Sequence, residues 1–126
     1  MDENEEKRYT HSMSVEKVRE FLRPFGRDKD IIEFPSSSAT VAEAAADLNT
    51  EEGRIAKSMS FMTASGPIVI VLAGDARIDN RKFKDTFHEK AKMIGPDDVE
   101  RLTGHPVGGV CPFALPDDVT LYLDIS

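Results

Sequence analysis

The chain has no tryptophan, a single cysteine and no long apolar run. A lone Cys111 excludes an internal disulfide, and with it the small secreted folds that depend on disulfide frames. No stretch approaches the roughly 18 apolar residues of a membrane-spanning helix. Residues 1–8, MDENEEKR, are acidic and polar and lack the apolar segment of a secretory signal. These absences make the cytoplasm the expected compartment and argue against a membrane partner. Positive charge is scarce too: 16 Lys and Arg face 23 Asp and Glu, for a net charge of −7. Such a balance argues against a non-specific grip on DNA or other nucleic acid. The three histidines, His11, His88 and His105, offer no metal-ligand spacing together with Cys111, so no metal or other cofactor is expected. Gly74-Asp-Ala-Arg77 lacks the Gly-Lys-Ser/Thr ending of a P-loop, and no Gly-x-Ser-x-Gly elbow occurs.

What is present suits one soluble domain: 126 residues, 40% hydrophobic and 31% charged. Residues 1–12 read as a loose acidic tail and 13–126 as a single folded unit. Ser14 is placed to cap a helix with the stripe Val15, Val18, Leu22 and Phe25, ended by Gly26. Ile31 to Phe34 reads as a short strand, closed by Pro35 and three serines. Thr40 and Glu43 form a capping-box pattern that opens a helix through Leu48. A short turn over Glu51 to Ile55 leads into a strand from Lys57 to Met62. Ser65-Gly-Pro67 is turn chemistry, and the β-branched run Ile68 to Leu72 is typical of a buried strand. Asp79 caps a helix with Phe83 and Phe87 inward. Ala91 to Ile94 reads as a short strand, Pro96 as the first turn of a helix ended by Gly104, and Val119 to Leu123 as the last strand. Helices and strands interleave, so the class is α/β or α+β with a mixed sheet. An apolar last strand leaves an open edge, so further native elements are expected beyond Ser126.

Three features bear on chemistry. In the loop His105-Pro-Val-Gly-Gly-Val-Cys-Pro-Phe113, two glycines let backbone N–H groups converge while prolines restrict the chain. That suits an anion or oxyanion site, or simply a tight connection. Lys57, in Ile55-Ala-Lys-Ser58, is either a partly buried cation that needs a partner or an ordinary strand lysine. Cys111 near His105 admits a thiolate pair, and equally a small buried thiol. Between Ala76 and Met93, Arg77, Arg81, Lys82 and Lys84 make a basic stripe that fits a few phosphates or a solvated helix face.

Taken in order, four stretches resemble the YbaK/ProX family of aminoacyl-tRNA deacylases, which includes the editing insertion of bacterial prolyl-tRNA synthetases. They are Thr40-Val-Ala-Glu-Ala-Ala45, Ile55-Ala-Lys-Ser58, Val71-Leu-Ala-Gly-Asp-Ala-Arg-Ile-Asp79 and Leu102-Thr-Gly-His-Pro-Val-Gly-Gly-Val-Cys-Pro-Phe113. The likeness spans about residues 14–126. It implies a mixed, barrel-like sheet flanked by helices and hydrolysis of the ester that joins an amino acid to a mischarged tRNA. By this resemblance Lys57 meets the carbonyl region or terminal phosphate of the substrate. The amides around Gly108, Gly109 and Val110 meet the oxyanion. Ser58, Cys111, Pro112, Phe113 and Asp124 bind the substrate, and Asp124 is a further partner for Lys57. Arg77, Arg81, Lys82 and Lys84 would take tRNA phosphates. Cys111 stands where serine is common in the family, and Ala114 where glycine is frequent. The expected partners are a mischarged aminoacyl-tRNA and an aminoacyl-tRNA synthetase. The alternatives are a non-catalytic module that binds the tRNA acceptor end or a synthetase, and a thiol enzyme built on Cys111.

Overall fold

The structure is a computed structural model, and it describes residues 14–34 and 40–126. The acidic tail and the Pro35–serine stretch lie outside the described residues.

The sheet begins with a hairpin. Strand β1 (Ala56–Thr63) pairs antiparallel with β2 (Gly66–Ala73), Thr63 opposite Gly66, so Ala64 and Ser65 alone make the turn. Gly66 has φ 116°, which the tight reversal requires and a Cβ resists. The Thr63 hydroxyl donates to the Gly66 carbonyl at 2.8 Å and accepts from Ser65 N–H, closing the loop from inside. Strand β3 (Thr120–Leu123) lies parallel to β2 on its other side. The sheet is therefore mixed, in the order β1-β2-β3, and among the described residues it does not close on itself.

The apolar run in the sequence becomes the middle strand. Ile68, Val69, Ile70 and Leu72 are all buried, each contributing roughly 1.5–3 kcal/mol of burial. Alternation along β1 divides its side chains between two faces. Phe61 and Met59 join Ile68 and Ile70 against Phe83 of helix α3 (Asn80–Phe87). Ser58 and Ser60 take the opposite face.

Among the described residues there are four α-helices. Residues 14–22 form α1, extended by a 3-10 turn, Arg23–Phe25, that Gly26 ends in a left-handed conformation. Helix α2 (Val41–Asp47) starts at Thr40, whose hydroxyl accepts from Glu43 N–H at 3.1 Å. Helix α3 is capped by Asp79, which accepts from Lys82 N–H at 3.0 Å. Helix α4 (Val99–Thr103) ends at Gly104, φ 79°.

Four local expectations change. Ser14 is already helical rather than a cap, and its hydroxyl is bonded to His105 instead. Ile31 to Phe34 is not a strand: it has no sheet partner, and Ile32 is exposed. Ala91 to Ile94 contributes only a bridge between Met93 and Phe61, flanked by Met62 N–H to Lys92 O and Ile94 N–H to Ser60 O. Pro96 sits in a turn ahead of α4, not in its first turn. For Ser14 the tertiary contact with His105 outweighs the local signal.

Candidate active site

A cavity of about 490 Å³ lies on the Ser58–Ser60 side of the sheet. Thr40, Val41 and Ala44 of α2 form one wall, and Ile55 to Ser60 of β1 the floor. Met93, Ile94 and Val99 close another side, and Val107, Gly108 and Val110 hang over it. The cavity thus gathers Lys57, Ser58, Gly108 and Val110 from two separate stretches of the sequence. It also gathers α2 residues, Met93 and Ser60, which sequence reasoning missed as site residues. Alternation along β1 was the one available signal for Ser60.

The loop over the cavity is anchored at its root. Thr103, fully buried, donates to Val99 O at 2.7 Å and accepts from His105 N–H at 3.2 Å. His105 is fully buried as well. Its Nε2 lies 2.7 Å from the Phe113 carbonyl, which can only accept, so Nε2 carries the proton. Nδ1 is then an acceptor, and the Ser14 hydroxyl donates to it at 2.6 Å. Burial pushes the His105 pKa down; the Phe113 hydrogen bond opposes this, and the charge of Lys17 adds to it. A neutral imidazole therefore ties α1 to both ends of the loop. Within the loop Gly109 N–H donates to Pro106 O at 2.9 Å, so that amide is used internally. Gly108 has φ 81°, and the Gly108 and Val110 amides have no hydrogen-bond partner among the described residues. Those two remain for a ligand.

Lys57 belongs to the cavity lining but not with its charge pointed at the floor. It pairs with Leu72, on the side of Met59 and Phe61 rather than of Ser58. Near the strand's start its ammonium reaches the turn after β2, donating to Gly74 O at 3.3 Å and to Ala76 O. Gly74 itself is closely enclosed: a Cβ there would collide with Glu52 O and stand 2.6 Å from Val41 Cγ1. Its own N–H donates to Ile55 O at 2.6 Å. An ammonium has three donors, and two are committed, leaving one without a partner among the described residues.

The remaining predicted residues lie elsewhere. Cys111 is half-buried, 3.6 Å from His105 Nε2 and 3.7 Å from Phe113 O. Desolvation pushes its thiol pKa up, against a smaller opposing effect of the Phe113 carbonyl contact. With Nε2 protonated and the thiol held neutral, the pair is not an activated nucleophile and base. Neither Cys111 nor Pro112 is among the cavity-lining residues. Phe113 packs on Phe21, centroids 6.0 Å apart, beside an apolar groove with Phe25 and Ile31. Asp124 lines a third depression, of about 290 Å³, with Arg77, Lys82 and Tyr122. The Ser126 hydroxyl holds the Asp124 carboxyl below its ordinary value. Asp124 and Lys57 form no ion pair: β2 lies between their strands, and Lys57 holds carbonyls instead. Arg77, Arg81, Lys82 and Lys84 are all exposed, and among the described residues none enters an ion pair. No helix among the described residues is long and apolar enough to cross a membrane.

The chain is similar to several known proteins. The chain is 47% identical over 115 residues to YwhH of Bacillus subtilis, covering 90% of this chain and 73% of that one. It is 33% identical over 89 residues to EbsC of Enterococcus faecalis, named as a candidate Cys-tRNA(Pro)/Cys-tRNA(Cys) deacylase, covering 69% and 52%. A segment of the proline–tRNA ligase of Streptococcus suis matches at 30% over 99 residues, which is 77% of this chain and 16% of the ligase. Among solved structures, one described as a candidate trans-editing enzyme for prolyl-tRNA synthetase superposes with a TM-score of 0.78 at 30% identity, covering 88% of this chain and 71% of that one. The family model for the aminoacyl-tRNA editing domain matches residues 36–126, and the chain belongs to that family.

Proposed function

We propose that this chain is a hydrolase that cleaves the ester of mischarged aminoacyl-tRNA in trans, releasing a small amino acid and free tRNA. The observation that carries the reading is the cavity itself. Its floor is β1 with Lys57 in the lining, and over it hang two loop residues, Gly108 and Val110, whose amides have no partner among the described residues. The ester carbonyl fits beneath those amides, where its oxygen gains charge as water attacks. One such donor is typically worth about 10²–10³ in rate. Gly109 keeps the loop folded back on Pro106, where a Cβ would stand 3.1 Å from Pro106 Cγ. The free N–H of Lys57 meets the terminal phosphate or the carbonyl region. No carboxylate or imidazole lines the cavity among the described residues, so water is positioned there rather than deprotonated by a side chain. Cys111, Pro112, Phe113 and Asp124 enter as substrate-side groups only if the loop and β3 move toward the cavity. The exposed Arg77, Arg81, Lys82 and Lys84 suit phosphates near the acceptor end. A cytoplasmic setting, a synthetase that delivers the tRNA, and a barrel-like closure of the sheet belong to the same proposal.

One observation favours a second reading, a non-catalytic module for the acceptor end. The Lys57 ammonium already holds two main-chain carbonyls and so has a structural use. A deacylation screen of the full chain across mischarged tRNAs separates the two. Release of a small amino acid, with no metal added, is the expected result. Tight tRNA binding with no release from any mischarged tRNA, by protein whose fold is verified, supports the module.

A further inference from the structure

Ser60 is 5% exposed and lines the cavity, yet its hydroxyl has no hydrogen-bond partner among the described residues. Among those residues no fully buried side-chain oxygen is left unpartnered, so the Ser60 oxygen meets the cavity space rather than packed atoms. It lies two residues along β1 from Ser58, on the same face, opposite Val69, which is completely buried. The walls around it are apolar: Val41, Ala44, Ile94 and Val99. A hydroxyl held among such groups is costly to leave unmatched once a ligand has displaced water, because it loses solvation without gaining a partner.

We propose that Ser60 determines specificity by hydrogen-bonding a hydroxyl on the side chain of the aminoacyl group, so that the cavity favours a serine-like acyl group over an alanine-like one. This rests on the cavity's being the aminoacyl site. A hydroxyl both donates and accepts, which matches another hydroxyl in either orientation. A charged side chain would be desolvated among apolar walls, and the one N–H of Lys57 not held by Gly74 and Ala76 is already given to the phosphate or carbonyl region of the substrate. A site that offers a hydrogen bond rejects the analogue that lacks the partner group far better than an apolar pocket rejects one extra methylene.

The test reads binding, so it does not depend on catalysis. Two non-hydrolysable mimics are used, 3′-amino-3′-deoxyadenosine acylated through an amide with serine or with alanine. Their affinities are measured by calorimetry on the full chain and on Ser60→Ala, with folding checked by circular dichroism. The expected result is a preference for the seryl mimic of about tenfold, falling to within twofold in Ser60→Ala through loss of seryl affinity alone. The proposal is overturned by equal affinities in the unchanged protein, by a preference that survives in Ser60→Ala, by an equal loss for both mimics, which would put Ser60 on the shared amine, or by no binding of either. Hydrolysis of the corresponding esters then decides the enzyme reading separately. Seryl-selective binding without hydrolysis would keep this inference and defeat that one.

Discussion

The Cys111 sulfur lies 3.6 Å from a His105 nitrogen whose proton is already given to the Phe113 carbonyl. The approach has the look of a nucleophile and its base, but the proton is on the wrong atom for that chemistry. Burial also pushes the thiol pKa up, keeping it neutral. The thiolate is the reactive form, so Cys111 in the folded protein should react with iodoacetamide at pH 7.5 at least tenfold more slowly than in urea-unfolded protein. Cys111→Ser should retain deacylation. Trapping of an acyl-thioester on Cys111, with loss of all activity in the serine variant, would contradict this.

His105 makes stability depend on pH. Its folded-state pKa is lowered by burial from the ordinary value of about 6.5, so the unfolded chain takes the proton first. The stabilisation is complete above about pH 6.5 and is lost as pH falls below it, toward the folded value. Melting temperature should therefore drop between pH 7.5 and 5.5. Gln at position 105 keeps a donor for Phe113 but does not titrate there, so His105→Gln should be less stable at pH 7.5 and show a flatter profile over that range. An identical slope in both proteins would place the pH dependence elsewhere.

Ala114 follows Phe113 with φ 56°, in the left-handed region. The conformation turns the chain immediately after the carbonyl that His105 holds. A residue with a Cβ pays roughly 1 kcal/mol to sit there. Ala114→Gly should relieve that strain, less what glycine gains in freedom when unfolded, for a net stabilisation of about 0.5 kcal/mol in chemical denaturation. A clear destabilisation would mean that the methyl packs usefully. This is also the physical sense of the glycine that is frequent at this position in the family the sequence resembles.

The stripe of Arg77, Arg81, Lys82 and Lys84 is exposed and free of ion pairs among the described residues. On a chain of net charge −7 it can engage only a few phosphates. Log affinity for tRNA should fall with log salt at a shallow slope, about 0.7–0.9 per phosphate neutralised. Arg81→Glu with Lys82→Glu should weaken binding and flatten that slope, yet leave hydrolysis of a minimal aminoacyl-adenosine nearly unchanged. Unchanged binding and slope would make the stripe a solvated helix face.

Much of the fold was legible because its signals are local. The Thr40 and Asp79 caps and the β-branched run of β2 each specify structure within a few residues, and the turn read at Ser65-Gly-Pro67 falls on Ala64 and Ser65, with Gly66 and Pro67 opening β2. Ile31 to Phe34 and Ala91 to Ile94 have strand-like composition, but a strand exists only where a partner edge is offered, and sequence does not carry that. The site was half legible. Lys57, Ser58, Gly108 and Val110 meet at one cavity, whereas Phe113 turns to Phe21 and Asp124 to a separate groove. Which way a loop residue turns depends on anchors far away in the chain, here Ser14 reaching His105 across 91 positions.

The central claim is that the cavity between β1 and the 105–113 loop hydrolyses aminoacyl-tRNA with Lys57 in its lining. The most direct measurement is the initial rate of amino-acid release from mischarged tRNA by the unchanged chain and by Lys57→Ala, both verified as folded. The account predicts release by the unchanged chain and a loss of about 10²-fold or more in the variant, the size expected for a lost charge contact of a few kcal/mol. Near-normal turnover by Lys57→Ala would reduce Lys57 to a clamp on the Gly74 turn, and no release by either protein would contradict the account as a whole.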